Sequence, residues 1–570
     1  MKLLLIIAFW LSAISANAIK TIHLQKYLDA DTLSAIDATP AIRKALEDCA
    51  RTHADELLLP EGILNLKPDC AFERYEYISN NDPSIKRIAF YLNNFKNFTI
   101  KGNNTKLLFS GYISAFSLVD CSNIVIKGLS IDYLHPFVLE SKIVDAGDGW
   151  FELRFPDSYR VDLHDGSLRV RDKQGITYPF SSLLEFDVNR KEVAYHAHDY
   201  WIYGRTYPAV KTQNGTYRIY RKDFGEARIG NTMVLGASAR LNPAFTLWEC
   251  NSIKLADVDI NHCGGMGVIA QACRDIELTH VNVIPSSDSD RIISASADAT
   301  HFVNCKGYIR LIDCVFRNQK DDATNIHGWY MSVDRIISSN KLLLRWRNSG
   351  QFGIEFIKKG MMLEFVDNNT MESYARLQVE TVKYLNSEYA EVSFKQQIPD
   401  NVTVKHVVAE DDEYPDVWIK GCYIGNNRAR GLLIGSRGRV IVEDCTFHTP
   451  GSAILFEGDG NYWYEQSGVR NVMIRNNVFD NCMYGSLNWG NACIAVGSGI
   501  PEKKDSRYHR NITVENNVFK SFDNRIVNLY CVDGFVFKNN TIIQSDEYHT
   551  YGDPNKRFVT EYCDNVVLDY

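Results

Sequence analysis

Short runs along this chain alternate apolar and polar residues. FTIKGN begins at 98, IVIKGLSI at 124, IKLADVDI at 253, IELTHVNV at 276 and IRLIDCVF at 309. VIVEDCTF (440), VMIRNNVF (472), ITVENNVF (512), FVFKNNTI (535) and VVLDY (566) continue the series. A period of two is the signature of a strand with one buried face. Asn, Asp and Gly gather where the runs turn. Ile253 to Ile276 spans 23 residues, as does Ile512 to Phe535. A unit of that length cannot bury its apolar face alone, so neighbouring units must stack in parallel. The spacing predicts an all-β fold, a right-handed parallel β-helix, in preference to a β-sandwich. A propeller blade needs about 40–45 residues.

A helix is expected before the first coil. Thr39 suits its N-cap and Pro40 its first position, with Ile42, Ala45, Leu46 and Cys49 at helical spacing. The strand in ELLLPEG (56–62) follows, and together they would cap the open end of the solenoid. Two stretches break the period. Residues 137–240 contain WFELRF (150–155) and TYRIYR (216–221); residues 329–412 contain KLLLRWR, GMMLEFVD and AEVSFK. Both read as antiparallel β, inserted as small barrel-like domains on solenoid loops. The expected division is a signal segment 1–18, cap and first coils 19–136, an inserted domain 137–240 and central coils 241–328. A second inserted domain, 329–412, and C-terminal coils, 413–570, complete it.

Composition adds three points. The net charge of −8 over 570 residues argues against a nucleic-acid surface. Lys2, the apolar run Leu3 to Ile14 and the small-x-small site Ala16-Asn17-Ala18 read as a secretory signal. Export to the periplasm or beyond is expected, and no other run is long enough to span a membrane. The 14 cysteines form no zinc spacing, and many sit inside strand-like runs, so they are expected as buried small hydrophobes.

The candidate chemistry lies in SADATHF (296–302) and KDDATNIHG (320–328). Asp298 precedes Asp321 and Asp322 by 23 and 24 residues, about one coil. Carboxylates stacked on adjacent coils would be ~4.8 Å apart, and ~8 Å if shifted by two residues. Such a cluster suits acid/base cleavage of a glycosidic bond. Mutual repulsion would raise at least one pKa. A bend is expected at Asp321–Asp322, since neighbours in a regular strand point to opposite faces. The spacing alone leaves turn capping and a calcium site open. Further candidates for sugar contact are Arg291, His301, Asn325 and His327, Gln271 in GGMGVIAQ (264–271), and Glu457 and Trp463 in FEGDGNYWYEQSG (456–468). The glycines of GGMGVIAQ read as tight-turn positions.

These four motifs, in this order, resemble glycoside hydrolase family 110. The resemblance is clearest over 240–330 and 415–480. It implies a β-helix carrying small β-barrels and an exo-acting α-galactosidase that inverts the anomeric centre. Terminal α-1,3-linked galactose, as in the blood group B antigen, is the implied substrate; some members also accept linear α-1,3-galactosides. Asp298, Asp321 and Asp322 match the family's acidic trio. A further likeness to polygalacturonases suggests Asp321 as general acid, with Asp298 and Asp322 holding and deprotonating the water. A polygalacturonase is the alternative within the class, but its Gly-His-Gly and Arg-Ile-Lys motifs are not evident here, and acidic substrates would call for a basic groove. A non-catalytic glycan-binding solenoid is the alternative outside it. No cofactor or metal is implied. The expected partner is an oligosaccharide or glycoconjugate ending in α-galactose, and a homodimer is compatible with the sequence.

Overall fold

The computed structural model describes residues 19–570, apart from 32, 173–174, 176, 179–180, 202–207, 226, 237–238, 498 and 551–555. The signal segment 1–18 lies outside the described residues. Two long sheets, of 20 and 13 strands, run the length of the molecule and are paired almost wholly in parallel. Their inward side chains make one continuous apolar core, from Leu24 to Phe537.

The alternating runs are the strands of the larger sheet. Ile253 pairs with Ile276 and Ile512 with Phe535, so the 23-residue period is the length of a coil at those places. The coil from Ile276 to Ile309 is longer, and its extra residues carry Arg291 and the stretch leading to Asp298. Inside the coils, like stacks on like. Phe90, Phe116 and Phe245 are stacked at ring separations of 4.5 and 4.6 Å.

Two columns of small polar side chains line the corners. The register places Cys121, Cys250, Cys273 and Cys305 in one column. Cys314, Cys422 and Cys445 begin the second, which continues as Asn477, Asn517 and Asn540. Asn477 Nδ2 donates to Asn517 Oδ1 (2.9 Å), and Asn517 Nδ2 to Asn540 Oδ1 (2.9 Å). The amides thereby satisfy buried backbone groups at each turn, which is the condition for burying them at all. All 14 cysteines are free, and 12 are buried.

The N-terminal helix spans Thr39–Thr52 and buries Ile42, Ala45, Leu46 and Cys49. Its N-cap is Ala38 rather than Thr39, and Pro40 sits second rather than first. Asp37 Oδ1 accepts the Thr39 amide (3.0 Å), which frees Thr39 Oγ1 to donate to Lys67 O (3.1 Å).

The first insertion runs from Val138–Gly147 to Thr232–Gly236. It forms an eight-stranded sheet with a three-stranded satellite, antiparallel throughout. The second runs from Met331–Ser338 to Val407–Glu410 and closes into a six-stranded barrel. Four strands of the smaller sheet position the chemistry: β1 (Val268–Gln271), β2 (Thr300–Val303), β3 (Thr324–Trp329) and β4 (Leu432–Ile434).

Asn517 joins three rungs of its column: its Oδ1 accepts from Asn477, and its backbone N–H and Nδ2 donate to Asn540 Oδ1. Asn517→Ala would strand the Asn477 backbone amide in the core and take one of two donors from Asn540 Oδ1. It is expected to cost about 2–4 kcal/mol, read as a lower urea midpoint.

Candidate active site

Parallel register builds the centre of the site. Thr300 of β2 pairs with Thr324 of β3, and Thr324 with Leu432 of β4. Two residues before each partner stand Asp298, Asp322 and Arg430, which therefore occupy equivalent positions on three successive coils. The offset of 24 residues, not 23, is the stacking interval, so Asp322 rather than Asp321 lies beside Asp298. The chain bends at Asp321, and this turns two consecutive carboxylates toward one space. One oxygen from each of Asp298, Asp321 and Asp322 lies within 4.8 Å of the others. They open on a cavity of about 610 Å³.

Three guanidiniums meet the three carboxylates. Arg430 grips Asp322 with Nε (3.0 Å) and Nη2 (2.9 Å), and its own amide donates to Asp322 Oδ1 (3.1 Å). Arg428 Nη1 donates to Asp321 Oδ1 (2.9 Å), and Arg240 Nη2 donates to Asp321 Oδ2. Asp298 Oδ1 accepts the Asp322 amide (3.2 Å), while its Oδ2 faces His301 Nδ1 at 2.6 Å. All six oxygens therefore have partners already. A cation would have to displace three fixed positive charges, so the residues do not fit a calcium or other metal site.

The environments separate the acidities. Burial pushes Asp322 up to about 7; Asp321 and Asp298 add to the rise, and Arg430 opposes it. Burial also acts on Asp321, but Arg428, Arg240 and Arg430 outweigh it and hold that carboxyl below the usual range. Burial and two acidic neighbours thus favour the protonated form of Asp322, whereas the guanidiniums of Arg428 and Arg240 favour the ionised form of Asp321. Asp321 is nonetheless the most open of the three, 9% exposed against 2% for Asp298 and 3% for Asp322.

Every part of the chain contributes to the walls. Asn80, Asn81 and Asp82 come from the N-terminal coils, Ser182 and Trp201 from the first insertion, and Asn348, Ser349 and Gly350 from the second. The first insertion also supplies Asp199, whose Oδ2 accepts from Arg428 Nε (2.8 Å). Lys320, beside the aspartates, donates to Ser182 Oγ (3.0 Å), and burial pushes its ammonium down to about 8. Trp463 and Tyr462 stand at the rim, 51% and 71% exposed. Asp459 turns that loop by accepting the amides of Asn461 (2.7 Å) and Tyr462 (2.9 Å). Gln351 Nε2, in the second insertion, fastens it by donating to Trp463 O (3.2 Å).

His301, Asn325, Glu457 and Trp463 line the cavity with the trio. His327 stands behind His301, their Nε2 atoms 2.9 Å apart. Two of the sequence candidates are elsewhere. Gln271 Oε1 accepts the Ser79 amide (2.7 Å), so it fixes the N-terminal segment that ends in Asn80. Arg291 is paired with Asp132 (2.6 Å) and donates to Tyr133 O (3.2 Å).

The glycines of GGMGVIAQ are not turn residues. None has a positive φ. A Cβ at Gly265 would lie 2.8 Å from Arg240 O, and one at Gly267 2.5 Å from Ala299 O. They are small so that the segment carrying Arg240, and the coil carrying Asp298, can pass close by.

The sequence reading missed Arg240, Arg428, Arg430, Lys320, Asp199 and Glu465. Lys320 and Glu465 lie inside quoted motifs, next to or near chosen residues. Arg428 and Arg430 flank Ala429 in NNRARG, one coil after the double aspartate in space, but the second insertion puts Arg430 108 residues after Asp322 and hides the interval. Nothing local marks Arg240 or Asp199.

Two family models match, GLAA-B beta-barrel domain I over residues 139–233 and GLAA-B beta-barrel domain II over 341–408. Over 518 residues the chain is 35% identical to "Alpha-1,3-galactosidase A" of Shewanella woodyi, covering 90% of this chain and 84% of that one. It is 30% identical over 568 residues to "Alpha-1,3-galactosidase B" of Phocaeicola vulgatus, covering 94% of each. To "Alpha-1,3-galactosidase B" of Bacteroides thetaiotaomicron it is 28% identical over 550 residues, covering 94% and 88%.

Proposed function

Because the chain belongs to glycoside hydrolase family 110, we propose that it is an exo-acting α-galactosidase. It removes terminal α-1,3-linked galactose from glycans such as the blood group B determinant. The observation that carries this reading is the trio of Asp298, Asp321 and Asp322 in a cavity of about 610 Å³. That is room for a few sugar rings, within the usual range for ligand sites.

Cleavage needs one proton at the leaving oxygen and one carboxylate to take a proton from water. Geometry ranks before acidity in choosing the donor. Asp321 is the most exposed of the three, which supports its role at the leaving oxygen. Asp322, pushed up to about 7, holds the trio's proton beside it below that pH. A bound sugar that displaces a guanidinium from Asp321 lets that carboxyl receive the proton. Asp298, with both oxygens aimed by His301 and the Asp322 amide, is the water-activating carboxylate. Trp463, half-exposed at the rim, offers a ring face to the apolar side of a sugar.

Inversion is the outcome that family membership supports. The carboxyl separation favours a second reading, since ligand oxygens within 4.8 Å are closer than the spacing usual for inverting pairs. Proton NMR of blood group B trisaccharide with the enzyme separates the two. β-Galactose should appear first; early α-galactose would make one of the trio a nucleophile. If galactose is never released from any α-1,3-galactoside while glycans still bind, the chain is a binding solenoid. We also place the protein outside the cytoplasm, on the apolar run Leu3 to Ile14 and the Ala16-Asn17-Ala18 site.

Each of Asp298→Asn, Asp321→Asn and Asp322→Asn should lower kcat by about 10²–10⁴-fold on a natural glycan. An aryl galactoside with an acidic phenol needs no proton on leaving, so it should restore much of the rate to Asp321→Asn and to Asp322→Asn, which lie on the proton's path, and none to Asp298→Asn. Restoration in Asp298→Asn instead would move the acid role to Asp298.

The pH dependence follows from the sign of the Asp322 shift. Its proton is required and is lost as pH rises through about 7. Activity should therefore fall above about pH 7. Arg430→Met removes a charge that favours ionisation, so the alkaline limb should move to higher pH while the maximal rate drops.

A further inference from the structure

Two buried histidines adjoin Asp298, and neither exchanges a proton with the sugar or the water. His301 is fully buried and His327 nearly so. They form a file of three close contacts. Asp298 Oδ2 faces His301 Nδ1 at 2.6 Å, His301 Nε2 faces His327 Nε2 at 2.9 Å, and His327 Nδ1 faces Gly328 O at 2.8 Å.

The protons in this file can be counted. A carbonyl oxygen only accepts, so His327 Nδ1 carries hydrogen. Two bare ring nitrogens would repel at 2.9 Å, so one proton lies between the Nε2 atoms. An ionised carboxylate and a bare ring nitrogen would repel at 2.6 Å, so another lies between Asp298 and His301. That makes three protons, and two neutral imidazoles supply only two.

We propose that Asp298, His301 and His327 form a unit that holds one extra proton, with His301 as an imidazolium that keeps Asp298 ionised and aimed. His301 is then a positioning residue, and His327 positions His301 in turn. The inference rests on the reading of Asp298 as the water-activating carboxylate.

The surroundings favour the charge on His301. Burial lowers the His327 pKa, with Glu465 opposing and His301 adding to the fall, so His327 is the neutral member. The charged groups facing His301 are Asp298, Asp321 and Glu465, all acidic, against Arg240, which lies 4.0 Å from Asp298. His327 Nε2 is 3.6 Å from Glu465 Oε1. Glu465 is itself held below the usual carboxylate range: burial raises it, but His327 and His301 outweigh that rise. An imidazolium amid three carboxylates is stabilised where a neutral ring would gain nothing.

In the resting unit Asp298 is a carboxylate and His301 carries both ring protons. Water gives one proton to Asp298 as its oxygen bonds to the anomeric carbon, and the leaving oxygen takes one from Asp321. The proton on Asp298 then leaves to solvent or to the emptied acid, and the file of three returns to its starting count.

Two measurements test this. Proton NMR of the intact protein near neutral pH should show an imidazole N–H far downfield of ordinary ring protons. That signal should vanish in His301→Gln and shift in His327→Gln. Its absence from the wild-type protein, with both histidines titrating as independent rings, overturns the proposal. The pH–rate profile supplies the second. A positive neighbour lowers a carboxylate pKa, so His301→Gln should move the acid limb to higher pH and lower kcat about tenfold or more, with KM little changed. His327→Gln keeps an acceptor for His301 and should move the acid limb less. An unmoved acid limb in both variants overturns the positioning role. A protein that shows the downfield proton but releases no galactose retains the unit and overturns the substrate reading instead.

Discussion

Parallel stacking decides which residues of this chain become neighbours. In a β-helix, residues far apart in sequence meet only if the register of every intervening coil is kept, and a slip of one residue turns each side chain to the other face. The pairing of Thr300 with Thr324, and of Thr324 with Leu432, is the constraint on which the site depends. It lays Asp298, Asp322 and Arg430 one above another. The sequence jump from β3 to β4 is long because the second barrel is inserted there, yet the register resumes as if nothing intervened.

Electrostatics then makes that stack habitable. Three carboxylates within 4.8 Å would not all survive burial as ions. Arg240, Arg428 and Arg430 each supply a charge, and they come from three directions: the end of the first insertion, the loop before β4, and that loop's last turn. Asp199 holds Arg428 from within the first insertion. The inserted domain is thus part of the charge network and not merely a wall.

What the sequence made legible was local or periodic. Strand runs, the coil interval, both insertions and the acidic motifs are patterns within a few residues or repeats at one interval. The bend at Asp321 followed from two consecutive acidic residues needing one destination. Contacts between segments unrelated by the coil interval were not legible. Arg240 reaches Asp321 because Gly265 leaves room for its backbone, and no spacing rule encodes that. Gln271 and Arg291 were plausible by chemistry, but partners at Ser79 and Asp132 claim them. Thr39 lost its capping role because Asp37, two residues earlier, offered a better acceptor.

The corner columns have a meaning beyond stability. Cys314, Cys422 and Cys445 give way to Asn477, Asn517 and Asn540, so thiol and amide do the same job at one corner of six coils. Each Asn oxygen in that column accepts the backbone amide of the column residue one coil earlier, Cys445 on Asn477, Asn477 on Asn517 and Asn517 on Asn540. A mis-threaded coil would leave buried donors unanswered and would be rejected. The first column sits where the smaller sheet passes into the larger and the second lies within the larger sheet; neither lines the substrate cavity, yet both help hold the coil-to-coil register on which the meeting of Asp298 with Asp322 relies.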